Sequence, residues 1–244
     1  MRRSNLFSIF KEYSGLVAAI SEKEDGSMLL KKEAENKEEV INNRKRFLEK
    51  LGVDINWVVS AKQVHGNNVE IVKTEDRGKI IPATDGLVTR NKGVFLSITV
   101  ADCLPVFILA KEKGVVGLIH CGWRGLAKNI LKSSIQKITD NFQVTPKDIL
   151  VGIGPGISKC HFEVGESVLN KFQPFLKECA EEREGKKFLD LKKIAQIQLL
   201  NLGVLPQNIE INPECTYCLK DKYFSFRRDK PKNIKTMLAV IGIK

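Results

Sequence analysis

The sequence predicts an α+β fold. Short runs between Ile55 and His120, such as "VFLSITV" and "VVGLIH", are apolar almost throughout, the signature of strands covered on both faces. Other segments, at 36–52 and from 123 onward, carry apolar residues at helical spacing. Strands and helices follow one another without regular βαβ alternation, which argues against a doubly wound sheet. With 244 residues and 43% hydrophobic composition, the chain can bury a sizeable core.

The first helix is expected between Asn36 and Gly52. Asn36 with Glu39 makes a capping box, and Gly52 is a C-terminal stop. Val40, Phe47, Leu48 and Leu51 form its apolar face, and Arg44 falls on the same stripe. An arginine there either snorkels to the edge or points into an anion site, because a buried guanidinium needs partners. After Gly52, "INWVVS", "NVEIV", "DGLVT", "VFLSITV", "PVFILA" and "VVGLIH" read as strands, with "KEKG" a hairpin turn between the last two. From Trp123, "WRGLAKNILKSSIQKI" reads as one helix, because Leu126, Ile130 and Leu131 recur at helical spacing. The strand "DILVGIG" runs into the turn "GPGIS". Helices are expected at 166–179 and 190–202, the second capped by Asp190 and ended by Gly203. "IEIN" and "TMLAVIGI" read as closing strands. No repeat, linker or clean boundary interrupts the chain, so 1–244 is expected to be a single domain.

The formal net charge is +11, from 40 basic and 29 acidic residues. The basic residues are interleaved with acids, as in "EKEDGSMLLKKEAENKEE", and no basic stripe alternates with aromatics. A solvated Lys/Glu-rich surface is therefore expected rather than a nucleic-acid interface. A positive balance still suits small anions such as phosphate. The apolar run in "MRRSNLFSIFKEYSG" is short and interrupted, and 93–110 contains Asp102 and Pro105. Neither a targeting signal nor a membrane span is expected. Six cysteines in a chain of this size do not make a disulfide scaffold. A reducing cytoplasm, with thiols free or bound to metal, is the expected setting.

Each of three motifs places a metal-capable side chain at the end of an expected strand, where scaffolds present functional groups. "AKQVHG" carries His65, "TVADCLPV" carries Asp102 and Cys103, and "LIHCGWRG" carries His120. Two imidazoles and a thiolate make a His2Cys set, one of the three-ligand zinc sites that keep an open position. An open position marks catalytic zinc, because water there becomes a nucleophile near neutral pH. Cys121 is a rival ligand, but neighbours in an extended segment point to opposite faces, so His120 and Cys121 should not reach the same ion.

These motifs also carry a resemblance. "NRKRFLEKLGV", "QVHG", "TVADCLPV", "HCGWRGL", "GIGPGIS", "FEVG", "LDL" and "FSFRRD" occur in the order found in the laccase-domain, YfiH-like family of bacterial and animal enzymes. The resemblance implies a single domain with two mixed β-sheets flanked by helices, in α/β/β/α layers. It places the family's zinc ligands on His65, Cys103 and His120, for one catalytic Zn2+. The implied activity is that of a glycosyltransferase and a hydrolase. It comprises phosphorolysis of purine nucleosides (adenosine, inosine, guanosine and methylthioadenosine) and deamination of adenosine. The older family name, multicopper polyphenol oxidase, fits poorly, because three histidines cannot hold several copper ions. Asp102 is the candidate for proton transfer or ligand orientation. Arg44 and Arg124 are candidates for phosphate, and Gln63 for a purine edge or the ribose.

The chain departs from the family at both ends. Segment 1–36 lacks the usual Ser-Arg-Gly-Gly and Ser-Leu-Asn stretches, and "PKNIKTML" stands where Gly-Arg usually follows the arginine pair. Cys160 and His161 read as packing or rim residues. One C-x-x-C pair, Cys215 and Cys218, is only half a zinc ribbon. Two rival readings follow the same residues: a hydrolase editing cell-wall muropeptide precursors, and a non-enzymatic basic nucleic-acid-binding protein with structural zinc.

Overall fold

The computed structural model describes residues 5–30, 37–230 and 234–244. Its strands are β1 Leu16–Ile20, β2 Val58–Ala61, β3 Val69–Ile71, β4 Ile80–Ile81, β5 Gly86–Thr89, β6 Phe95–Val100 and β7 Leu104–Ala110. They continue with β8 Val115–Cys121, β9 Ile149–Ile153, β10 Ala180–Arg183, β11 Lys186–Leu189, β12 Ile209–Ile211 and β13 Met237–Ile243. The helices are α1 Lys37–Lys50, α2 Trp123–Ala127, α3 Ile130–Phe142, α4 Glu166–Leu169, α5 Leu176–Cys179, α6 Leu191–Asn201 and α7 Phe226–Asp229.

A five-stranded sheet runs β1-β13-β6-β2-β4 and a six-stranded sheet runs β12-β9-β7-β8-β5-β3. Both are mixed: β6 pairs antiparallel with β13 but parallel with β2, and β9 pairs antiparallel with β7 but parallel with β12. Alternating side chains divide each strand between two layers. In β13, Met237, Ala239, Ile241 and Ile243 face the other sheet, whereas Leu238 and Val240 pack with Phe47, Leu48 and Leu51 of α1. In β8, Val116 and Leu118 fill the space between the sheets, while Ile119 and Cys121 pack towards α3 and α6. The layers are therefore α/β/β/α. This explains the uninterrupted apolar strands: all seven residues of β7, β8 and β13 are buried.

The expected elements between 58 and 121 are present, with Ile55–Trp57 forming a 3-10 turn before β2. Two expectations need correction. The helix from Trp123 is two helices, broken at Asn129 with φ +59°. The Leu126 carbonyl there accepts from the buried Gln198 amide at 3.1 Å, and Lys128 O from Asn67 at 3.0 Å, so the α-helical ladder is interrupted. The helix at 166–179 is two single turns around a 3-10 turn that contains Pro174, which has no N–H to donate. The capping box keeps Glu39 in α1, but Asn36 lies outside the described residues. Strands β1, β10 and β11 carry no strong local sequence pattern. The β10–β11 hairpin turns on Glu184 and Gly185, both at positive φ (+51° and +71°), as a type I′ turn requires.

The registers bring the three motif ends together. In the β7–β8 hairpin Leu104 pairs with Cys121 and Pro105 with His120, so Cys103 falls opposite Gly122 on the same face as His120. The β5–β8 register pairs Gly86 with Ile119, which sets Asp85 against His120. Strand β2 lies against β6 and leads into the loop that carries His65.

Candidate active site

Asp85 organises the centre. Its wholly buried carboxylate accepts from the backbone N–H groups of Val64 (3.0 Å), His65 (2.9 Å) and Gly66 (2.8 Å). The last two close a turn in which His65 adopts φ +56°, a left-handed conformation uncommon outside glycine. Asp85 Oδ1 also accepts from His120 Nδ1 at 2.8 Å, and its backbone carbonyl takes the His120 N–H at 2.7 Å. With Nδ1 committed, His120 has Nε2 left for a ligand. The ligand atoms of His65, Cys103 and His120 all lie within 4.8 Å of one another, with His65 Nε2 4.0 Å from Cys103 Sγ. The two imidazoles meet edge to face at 4.7 Å. Gly122 presses against them: a Cβ there would come within 2.9 Å of Cys103 Sγ and 3.2 Å of His65 Cδ2. Cys121 points the other way, into the core beneath α3 and α6.

The electrostatics suit a cation. Burial alone would raise the Cys103 thiol, but the charge and hydrogen bond of His120, with a hydrogen bond from His65, lower it to about 6. Burial alone would lower His120, but Cys103 and Asp85 raise it to about 9. Burial likewise opposes Asp85, whose carboxyl is nevertheless lowered to about 2 by hydrogen bonds from His120, Gly66 and Val64. Without metal, the pair is a thiolate and an imidazolium between about pH 6 and 9. A ligated histidine must be neutral, so metal binding in this window expels the His120 proton. Proton release on zinc binding to apoprotein is therefore expected to decline as pH rises through about 9, and to grow as pH falls through about 6. Calorimetric titration in buffers of different ionisation enthalpy measures this. Release that does not fall as pH rises through about 9 would contradict the assigned charge states.

The centre opens into a cavity of about 590 Å3 at the end of the inter-sheet layer, within the usual range for small-molecule sites. Every sequence-predicted site residue lines it: Arg44, Gln63, His65, Asp102, Cys103, His120 and Arg124. Arg44 is buried and donates through Nε to Met28 O at 2.8 Å. Its two terminal nitrogens have no protein partner among the described residues, and burial lowers its pKa to about 10. Arg124 is exposed, its guanidinium 4.3 Å from the Trp123 ring centroid. Trp123, Phe162 and Phe226 add aromatic walls, with Phe226 52% exposed.

The chain matches the family described as multi-copper polyphenol oxidoreductase laccase over residues 19–244. It belongs to this laccase-domain family. The purine nucleoside phosphorylase YlmD of Geobacillus stearothermophilus is 36% identical over 220 residues, covering 85% of this chain and 80% of that protein. A protein named adenosine deaminase RL5, from an unknown prokaryotic organism, is 28% identical over 78% of this chain and 76% of its own length. Among solved structures, Geobacillus stearothermophilus YlmD superposes with a TM-score of 0.89 at 33% identity, covering 95% of this chain and 93% of that one. YfiH of Bacillus licheniformis gives 0.88 at 29% identity, covering 96% and 94%.

Within this laccase-domain site two expectations change. Gln63 was expected to meet a purine or ribose, but both ends of its amide are engaged. Nε2 donates to Thr99 O at 2.8 Å, while Oε1 accepts from Thr99 N at 2.8 Å and Thr99 Oγ1 at 3.0 Å. It clips the His65 loop to β6. Asp102, at φ +85°, was a candidate for proton transfer or ligand orientation. Its carboxylate instead accepts from Thr216 Oγ1 (2.6 Å), Ser225 Oγ (3.0 Å) and Arg227 N (2.7 Å), which ties the C-terminal segment down beside Cys103. Asp85 itself escaped the sequence reading. In "TDGLVT" it looked like a strand boundary, and the only hint was a carboxylate set directly before a buried strand.

Proposed function

We propose that this chain is a zinc-dependent purine nucleoside phosphorylase that also deaminates adenosine. The observation that carries this reading is a three-residue metal set on the wall of a cavity that also contains a buried arginine, half-partnered among the described residues. Two imidazoles and one thiolate suit zinc, and tetrahedral ligation at bonds of about 2.0 and 2.3 Å calls for ligand atoms roughly 3.3–3.6 Å apart. The 4.0 Å between His65 Nε2 and Cys103 Sγ lies a few tenths of an ångström beyond that span. Two histidines and one cysteine do not supply the ligands that several copper ions need, so polyphenol oxidation is a poor fit.

When bound, zinc would supply Lewis acidity and an activated water. The chain's own residues do the rest. Asp85 holds His120 in the tautomer that offers Nε2, and its nest of N–H bonds holds His65 in place. Arg44 and Arg124 take the phosphate, because a guanidinium fork matches its oxygens. In phosphorolysis a phosphate oxygen bonds to the anomeric carbon while the carbon–nitrogen bond to the purine breaks. Trp123, Phe162 and Phe226 provide flat apolar surface for the base. Asp102 acts by position, since its carboxylate is occupied by three donors. Deamination has support of its own in the relative named adenosine deaminase. A reducing cytoplasm fits six cysteines that are all free. No helix among the described residues is long and apolar enough to cross a membrane.

The test is a nucleoside panel given to metal-analysed protein with and without phosphate. Free base and ribose 1-phosphate should appear only with phosphate, and adenosine should yield inosine without it. Zinc-loaded protein that does neither would overturn the reading. Arg44→Met is expected to raise KM for phosphate roughly 10- to 100-fold, the value of one charge-assisted hydrogen bond or more. Phosphate-free deamination should stay within about twofold, a split that a general folding defect would not give.

A further inference from the structure

Cys160 and His161 follow the turn after β9, while Cys215 and Cys218 follow β12. The structure joins these two pairs, which the sequence reading treated separately. Their four ligand atoms all lie within 4.8 Å of one another. Cys160 Sγ is 3.7 Å from Cys215 Sγ and 3.6 Å from Cys218 Sγ. His161 Nδ1 is 3.2 Å from Cys160 Sγ and 3.3 Å from Cys218 Sγ. A tetrahedral zinc ion with bonds of about 2.3 Å to sulfur and 2.0 Å to nitrogen sets sulfurs about 3.8 Å apart, and sulfur and nitrogen about 3.6 Å apart. These four of the six edges come within a few tenths of an ångström of that tetrahedron, and the other two are within 4.8 Å.

We propose that Cys160, His161, Cys215 and Cys218 form a second metal site, a closed Cys3His site holding one structural zinc ion. It is independent of the nucleoside reading and differs chemically from the first centre: four protein ligands leave no position open for water or substrate. Disulfide pairing explains the geometry less well, because Cys160 stands almost equally far from two partners and a disulfide needs about 2.05 Å. The surroundings are built to hold ligands. The Ser158 N–H points at Cys215 Sγ from 3.4 Å, which favours a thiolate there. His161 stacks on Tyr217 at 4.0 Å and 14°, which orients its ring. Lys192 donates to Asn212 O and Glu214 O, both at 2.8 Å, and so fixes the approach to Cys215.

The site staples the loop that walls the active-site cavity with Ile157 and Phe162 to the loop that bonds Asp102. Thr216, between the paired cysteines, gives its hydroxyl to Asp102 beside Cys103. Phe162, next to His161, lines the cavity. An ion here would brace the catalytic centre without touching substrate.

The experiment is metal analysis of purified wild-type protein, Cys103→Ser and Cys103→Ser/Cys218→Ser, each prepared with zinc supplied. Two zinc ions per chain, one and none are expected, in that order. Cys103→Ser leaves all four proposed ligands intact, so its retained zinc reports on them alone. Cobalt substitution in Cys103→Ser should give strong thiolate-to-cobalt charge transfer and intense tetrahedral ligand-field bands. Three results would overturn the proposal: a single wild-type zinc that Cys103→Ser loses, a Cys103→Ser protein whose Cys160, Cys215 and Cys218 thiols react freely without chelator, or a disulfide from Cys160 to Cys215 or Cys218 found by peptide mapping.

Discussion

Cys103→Ala is expected to remove metal from the His65–Cys103–His120 centre and to abolish both phosphorolysis and deamination. The thiolate is the only anionic side chain among these three residues, and with Asp85 it holds His120 high in the free protein. Without it, two neutral imidazoles make a poor zinc site. A bound Lewis acid contributes several kcal/mol to a transition state. At about 1.4 kcal/mol per factor of ten, its loss should lower kcat/KM roughly a thousandfold or more. The fold should survive, because Cys103 is only partly buried and lies at a strand end rather than in the core. Metal analysis with circular dichroism separates loss of zinc from loss of structure. Phosphorolysis retained in a folded variant that has lost this ion would sink the metal-centred reading.

Much of the fold was legible because burial on both faces leaves a strong mark. Strands β6, β7 and β8 are apolar at nearly every position, and their lengths were right to within a residue. Elements stabilised mainly from a distance were not legible. Strand β1 is five residues long, and its place comes from antiparallel pairing with β13 at the far end of the chain. The β10–β11 hairpin is largely charged and buries only Leu189 fully, so its turn carries more of the signal than its strands. Asn129 reads as an ordinary helical residue until Gln198, from α6, takes the Leu126 carbonyl.

The candidate site divides in the same way. His65, Cys103 and His120 were readable as reactive side chains at strand ends, and alternation along β8 already turned Cys121 away from them. What joins the residues was not readable. Gln63 looked like a substrate contact because nothing local shows Thr99 folding across its amide. The Cys160–His161 and Cys215–Cys218 pairs lie more than fifty positions apart, and each alone is weaker than the four together.

Asp85 is the sharpest case, and Asp85→Asn is expected to damage stability and metal binding together. The carboxylate accepts three backbone N–H groups and the His120 Nδ1–H from a fully buried position. An amide of the same shape keeps one acceptor oxygen and turns two N–H donors towards groups that also donate. Breaking a buried charged pair from one side costs about 3 kcal/mol or more. For a chain of this size that lowers Tm by roughly 6–12 °C. Zinc affinity should fall about 10- to 100-fold, as when the partner of a metal-ligating histidine is lost. The pH dependence has a definite sign. A carboxyl lowered to about 2 stabilises the fold fully above its ordinary value near 4, and that contribution disappears as pH falls through 2. The variant should therefore lose its deficit relative to wild type in strong acid. Competition with a chromophoric chelator, well below the variant's Tm, measures affinity apart from folding. Wild-type zinc affinity in Asp85→Asn would show that the nest around His65 and the tautomer of His120 do not depend on this carboxylate.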